Sequence, residues 1–160
     1  ALGLRVAAFD PYMERSPVEG VELVKDFRAI LPETDFLCLH LPSTPETRDL
    51  IGAGELALLK RGAFVINCAR GGIVDEDVLC DALESGHLGG AGLDVFAKEP
   101  PDTAHRLFRQ EKVLLSPHNA ALTEECAIRM ATQAVQNVLD CLDGKLQTRV
   151  VMNRREIGMA

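Results

Sequence analysis

An α/β fold, one parallel sheet with helices on both faces, is predicted by three features of this sequence. Short apolar runs recur along the chain. Helical patterns separate them. The runs are continuously apolar and do not alternate with polar residues, as expected of strands covered on both sides. Alternating strand and helix patterns in one chain mean parallel pairing through crossovers. No Ser/Gly linker, low-complexity tract or fixed-period repeat breaks the order.

The apolar runs are "RVAAFD", "FLCLHL", "AFVINC", "GAGLDV" and "VLLS". Between them, "AGELALLKRG" carries apolar Leu56 and Leu59 and closes on Gly62. "DEDVLCDALESG" opens with acids, repeats apolar residues at Val78, Leu79, Ala82 and Leu83, and stops at Gly86. "TEECAIRMATQAVQNVLDCLDG" is the longest pattern. Thr123 suits its N-cap, Glu124 and Glu125 suit the positive helix end, and Gly144 suits its close. Ala127, Met130, Ala134, Val138 and Leu142 form one apolar stripe. The opening "ALGL" reads as the tail of a helix. The closing "KLQTRVVMNRREIGMA" lacks turn signals and a helical period, and reads as an exit segment.

Composition bounds the function. The chain has 160 residues, 47% hydrophobic and 26% charged, with a net charge of −7. That balance opposes a general nucleic-acid or anionic-membrane binder. No apolar stretch approaches the ~18 residues of a membrane span. The five cysteines, Cys38, Cys68, Cys80, Cys126 and Cys141, form no CxxC pair. Four of them read as small buried hydrophobes in a reducing, cytoplasmic compartment, and Cys68 is the exception because it lies beside the "ARGG" loop; none reads as a zinc ligand.

In open parallel sheets, ligands bind at the carboxyl ends of the strands. The polar residues there are Asp10, then His40 to Pro42, then Cys68 to Arg70, then Asp94, then Ser116 to His118. Asp10 can accept both hydroxyls of an adenosine ribose, or can simply be a turn residue before Pro11. Arg70, followed by two glycines, can fork onto a carboxylate. His118, in "SPHNA", can exchange a proton near neutral pH, and Glu99 would orient its ring if the two meet. His87 and His105 read as solvent-facing. "GAGELA", at residues 52–57, fits a dinucleotide fingerprint but follows a polar stretch and no strand, so it reads as an ordinary helix start.

Four stretches then point to a family. "TDFLCLHLPSTPETRDLIG", "LKRGAFVINCARGGIVDEDVLCDAL", "GGAGLDVFAKEPP" running on to "VLLSPHNA", and "CLDGKLQTRVV" together span nearly the whole chain. They resemble the D-isomer-specific 2-hydroxyacid dehydrogenases. The resemblance implies a Rossmann-like sheet that binds NAD, and transfer of hydride between the cofactor and a small 2-hydroxy or 2-keto acid. It implies that Arg70 holds the substrate carboxylate and that Glu99 pairs with His118, the acid/base. It places Asp10 on the ribose, Leu41 and Pro42 beside the adenine, the Cys68 and Ala69 backbone at the nicotinamide, and Asp94 on its carboxamide. Within the cofactor site Arg70 and His118 also border the nicotinamide end.

Against that family, the fold is expected to lack its first strand and glycine-rich loop, because Asp10 arrives too early to follow one. Residues 1–147 would be a partial NAD-binding domain and 148–160 an exit segment toward a substrate domain. The strands flanking the gap would carry unpaired edges, which favour a homo-oligomer. An alternative reading is a catalytically inactive module of the same fold that serves protein interaction or is a relic.

Overall fold

The computed structural model of the chain describes residues 3–154 and 156–158. It separates into two compact units, Ala1–His118 and Asn119–Ala160. The first contains every strand among the described residues. β1 (Val6–Phe9) pairs in parallel with β2 (Val21–Val24), and β3 (Phe36–Leu39), β4 (Phe64–Asn67), β5 (Gly90–Leu93) and β6 (Val113–Leu115) form a second parallel sheet in that order. β2 is absent from the sequence reading. Its four residues, "VELV", mix polar and apolar character and stay partly exposed, so the continuous apolar signal of a central strand is missing.

The crossovers of the second sheet run through α1 (Ala53–Leu58) and α2 (Glu76–Glu84). Both are cut short by local chemistry. α1 starts where the Glu55 carboxylate accepts the Gly52 N–H, at 3.2 Å, and it ends at Leu58, before Gly62 turns left-handed at φ +87°. α2 starts at Asp75, whose Oδ1 accepts the N–H groups of Asp77 and Val78, and it ends before Gly86 at φ +67°.

Strand alternation sorts the sheet residues onto two faces. Leu39, Val65, Ala91 and Leu93 join Leu56, Leu59, Leu79, Cys80 and Leu83 in one buried core. The register row Cys38, Ile66, Gly92 and Leu114 lies on the opposite face, where Phe36 stacks on Phe64 at 5.4 Å. Phe36 and Leu114 are exposed there.

This sorting corrects the cysteine expectation. Cys80 is buried in the core, but Cys38 and Cys141 are exposed and Cys126 is intermediate; Cys68, set apart in the sequence, is exposed. All five are free thiols. The histidine expectation is corrected too. His87 is half-buried and its Nε2 lies 2.9 Å from the Leu56 carbonyl. His105 is half-buried, and its Nδ1 accepts the Leu107 N–H. Both rings tie loops to helical turns.

The second unit holds α3 (Glu124–Leu142), capped by the Thr123 hydroxyl on the Cys126 N–H at 3.1 Å and closed by Gly144 at φ +69°. A 3-10 turn follows at Thr148–Val150. Half of "ALGL" lies outside the described residues, and Gly3 and Leu4 are not helical. No helix among the described residues is long and apolar enough to cross a membrane.

Candidate active site

Because β3 to β6 are parallel, their carboxyl ends share one edge of the sheet. His40 to Pro42, Cys68 to Arg70, Asp94 and Ser116 to His118 leave from that edge. Asp10 leaves the same end of β1, in the two-stranded sheet.

The pair at the centre is Glu99 and His118, with Oε2 to Nδ1 at 2.8 Å. Glu99 is held from its other oxygen as well, since Oε1 accepts the Phe96 N–H at 3.0 Å. The hydrogen bond from His118, and then that from Phe96, hold the Glu99 carboxyl below the usual carboxylate range. An ionised carboxylate can only accept, so the imidazole Nδ1 carries the proton and Nε2 is the nitrogen left to exchange one. His118 sits at φ +53°, in the left-handed region, and the peptide Glu99–Pro100 is cis. The two side chains come from loops that follow different strands, β5 and β6.

A cavity of ≈ 380 Å³ opens beside this pair, lined chiefly by Phe96, Phe108, Leu115 and Pro117. Phe96 and Phe108 stack at 5.9 Å. The wall is apolar, and the Glu99–His118 pair stands at its polar side.

Asp94 is buried at 3% exposure, and its Oδ1 accepts the Ser116 hydroxyl at 2.6 Å. A buried carboxylate is costly without such partners. Arg70 is exposed, and its guanidinium donates to the Ala69 carbonyl at 2.6 Å. Cys68 is exposed beside it. Partial desolvation by its neighbours, and then the nearby Cys68, push the Cys38 thiol above its ordinary value, although the residue as a whole is exposed. Leu41 packs on the core, and the Pro42 carbonyl accepts the Thr47 hydroxyl at 2.7 Å. Asp10 caps its own turn, with Oδ1 accepting the Tyr12 N–H at 2.8 Å. The hydrogen bond is that of a turn residue.

Two residues that sequence reasoning missed hold this edge together. Asn67 is 2% exposed and ends β4. Its Oδ1 accepts the Ala69 N–H and its Nδ2 donates to the Arg70 carbonyl, each at 3.0 Å. It clamps the loop that carries Arg70. A polar residue closing an otherwise apolar run was the available signal. Gly71 has no comparable signal, because "GG" after Arg70 reads as a generic turn. A Cβ there would lie 1.7 Å from the Phe96 carbonyl oxygen, so the Arg70 loop docks directly on the backbone that leads to Glu99.

The sheet order and this strand-end site define a dinucleotide-binding type of α/β domain. Comparison with known proteins makes the class specific. Residues 1–120 match the family model of the D-isomer specific 2-hydroxyacid dehydrogenase NAD binding domain, and the chain belongs to that family. D-3-phosphoglycerate dehydrogenase of Methanocaldococcus jannaschii is 40% identical over 94% of this chain. Glycerate dehydrogenase of Methylorubrum extorquens is 41% identical over 94% of it. The chain spans 29% of the first protein and 46% of the second. Among solved structures, the NAD-complexed D-isomer specific 2-hydroxyacid dehydrogenase of Lactobacillus delbrueckii superposes with a TM-score of 0.81 at 31% identity. That match covers 91% of this chain and 47% of the other. The enzyme of Xanthobacter autotrophicus in complex with NADPH and MES gives a TM-score of 0.77 at 37% identity, covering 89% of this chain and 59% of the other. The family's cofactor, NAD, is the one expected from the sequence.

Proposed function

We propose that this chain carries the cofactor-binding and proton-transfer part of an NAD-dependent D-2-hydroxyacid dehydrogenase acting on a small 2-hydroxy or 2-keto acid. The observation that carries the reading is the 2.8 Å contact between Glu99 and His118 at the carboxyl edge of a parallel sheet. It sets one ring nitrogen as a proton donor to the carboxylate and leaves the other to work on substrate.

The residues present suit the two ends of a dinucleotide. The buried Asp94 carboxylate is an acceptor for a carboxamide NH2. The Cys68–Ala69 backbone and Arg70 border the same edge. Asp10 would receive ribose hydroxyls through Oδ2, and its charge favours NAD over the 2′-phosphate of NADP. Leu41 and Pro42 supply an apolar wall for adenine. The nicotinamide, when bound, supplies the redox step by exchanging a hydride with the substrate's C2.

The chain's own residues supply position and proton. His118 Nε2 takes the proton from the 2-hydroxyl during oxidation and returns it during reduction. Glu99 holds the ring in the tautomer that allows this and stabilises the imidazolium. Arg70 turns from the Ala69 carbonyl to fork onto the substrate carboxylate, fixing C2 for reaction. The division into a cofactor-binding part at residues 1–147 and an exit segment at 148–160 belongs to the same proposal. Self-association through the open sides of β1 and β3, and a reducing cytoplasmic setting for the five free thiols, complete it.

NADH fluorescence titration tests the reading. Saturable binding, followed by absorbance changes with a panel of 2-keto acids, is the expected result. No binding at millimolar NADH removes the dehydrogenase reading for this chain and leaves the inactive-module alternative.

A further inference from the structure

We infer that Ser116 is a positioning residue for the cofactor's nicotinamide end, acting through Asp94. The inference rests on the NAD-binding reading above and adds to it a residue outside the expected set.

The geometry is specific. Ser116 follows β6, and its backbone N–H donates to the Leu93 carbonyl at 3.0 Å, which extends the β5–β6 ladder one residue past the strand. Its side chain therefore comes off the ladder at a fixed height. From there the hydroxyl donates to Asp94 Oδ1 at 2.6 Å, a short bond to a carboxylate that is 3% exposed. Asp94 is in turn pinned at its own N–H, which donates to the Asn67 carbonyl at 3.0 Å. The backbone is thus held on both sides, and the directed hydroxyl bond adds a restraint on the carboxylate's rotation about its side-chain bonds.

The same short segment carries the proton-transfer residue. Pro117 separates Ser116 from His118, and its ring restricts the backbone between them. Ser116 therefore references two things to one strand end: the plane of the Asp94 carboxylate and the origin of the His118 ring. In the proposed complex, the first holds the carboxamide and the second faces the substrate's C2 oxygen. A nicotinamide ring misaligned by a rotated Asp94 would be out of register with His118 even with His118 itself undisturbed.

The test compares the chain with Ser116→Ala and Ser116→Thr, and measures affinity for NADH and for ADP-ribose, which lacks the nicotinamide. Losing a hydrogen bond that orients a charged acceptor is expected to weaken NADH binding about tenfold in Ser116→Ala. ADP-ribose affinity should be unchanged, and Ser116→Thr should bind NADH as the parent chain does. A merely structural lesion would weaken both ligands together. Carboxyl 13C NMR of Asp94, without any ligand, should report a moved resonance in Ser116→Ala and restoration in Ser116→Thr. If Ser116→Ala does not fold, Ser116→Cys, close in volume and a poor donor, takes its place with the same expectations. Equal loss of NADH and ADP-ribose, or an unaltered NADH affinity in a folded variant, overturns the inference while the dehydrogenase reading stands. Failure of the parent chain to bind NADH overturns both.

Discussion

Replacing Gly71 with alanine is the sharpest mechanical test of this site. The added Cβ would sit 1.7 Å from the Phe96 carbonyl oxygen, 2.2 Å from its carbonyl carbon and 2.7 Å from the Ala97 nitrogen. Ordinary contact begins near 3.4 Å, so the two loops must part by roughly half that distance again beyond their present approach, about 1.7 Å. All three obstructing atoms are backbone, so no rotamer change relieves them. Overpacking of this kind costs about 1–3 kcal/mol, and backbone against backbone belongs at the upper end. For a chain of this size, about 3 kcal/mol lowers the thermal midpoint by about 6–12 °C. Gly72 is the control. It has φ +74° with nothing within 4 Å, so Gly72→Ala meets only the left-handed backbone penalty, about 1 kcal/mol. Thermal melts followed by circular dichroism compare the two. A Gly71→Ala chain that melts with the parent, or above Gly72→Ala, refutes the claim that the Arg70 loop is docked on the Phe96 backbone.

Asn67→Ala leaves the Ala69 N–H and the Arg70 carbonyl without their side-chain partner, and should cost about 2–4 kcal/mol in urea titrations. Asn67→Asp buries a carboxylate with one oxygen against the Arg70 carbonyl oxygen, so at neutral pH it should cost at least as much as Asn67→Ala. Glu99→Gln gives a pH signature. The Glu99 carboxyl lies below its ordinary value in the folded chain, chiefly through the His118 hydrogen bond. Its stabilisation is therefore present above the unfolded carboxylate pKa, about 4.3, and is lost as pH falls through the lower folded value. The melting difference between the parent and Glu99→Gln should be largest near neutrality and close in acid. Both side chains are about half exposed, so solvent screening keeps that difference small. Curves that stay parallel down to pH 3 would mean that the pair does not form in solution.

The site was legible where chemistry and order sufficed. His118 and Glu99 stand at strand ends with prolines around them, and their meeting was conditional on loop geometry that no spacing rule supplies. Asp94 and Arg70 stood out for the same reason, as polar residues at or just after the ends of apolar runs, and their roles toward cofactor and substrate belong to the proposed function. Asn67 was not, because its role depends on both amide ends reaching back into the turn it closes. The cysteines misled for a different reason. Cys38 sits in an apolar strand, but it alternates onto the face that carries exposed Phe36 and Leu114, so apolar neighbours in sequence did not imply burial in space.

The sequence by itself determined the order of the elements other than β2, the parallel direction of the strands, the helix cap at Thr123, and the family. These follow from local periodicity, cap chemistry and ordered motifs, which need no knowledge of what lies across the fold. Tertiary structure alone decided the split of the strands into β1–β2 and β3–β6, the contact of Glu99 with His118, the Ser116–Asp94 bond and the close approach at Gly71. Each of these joins segments tens of residues apart or depends on which neighbour a strand edge finds. Such distances are set by packing, and a linear pattern carries no measure of them.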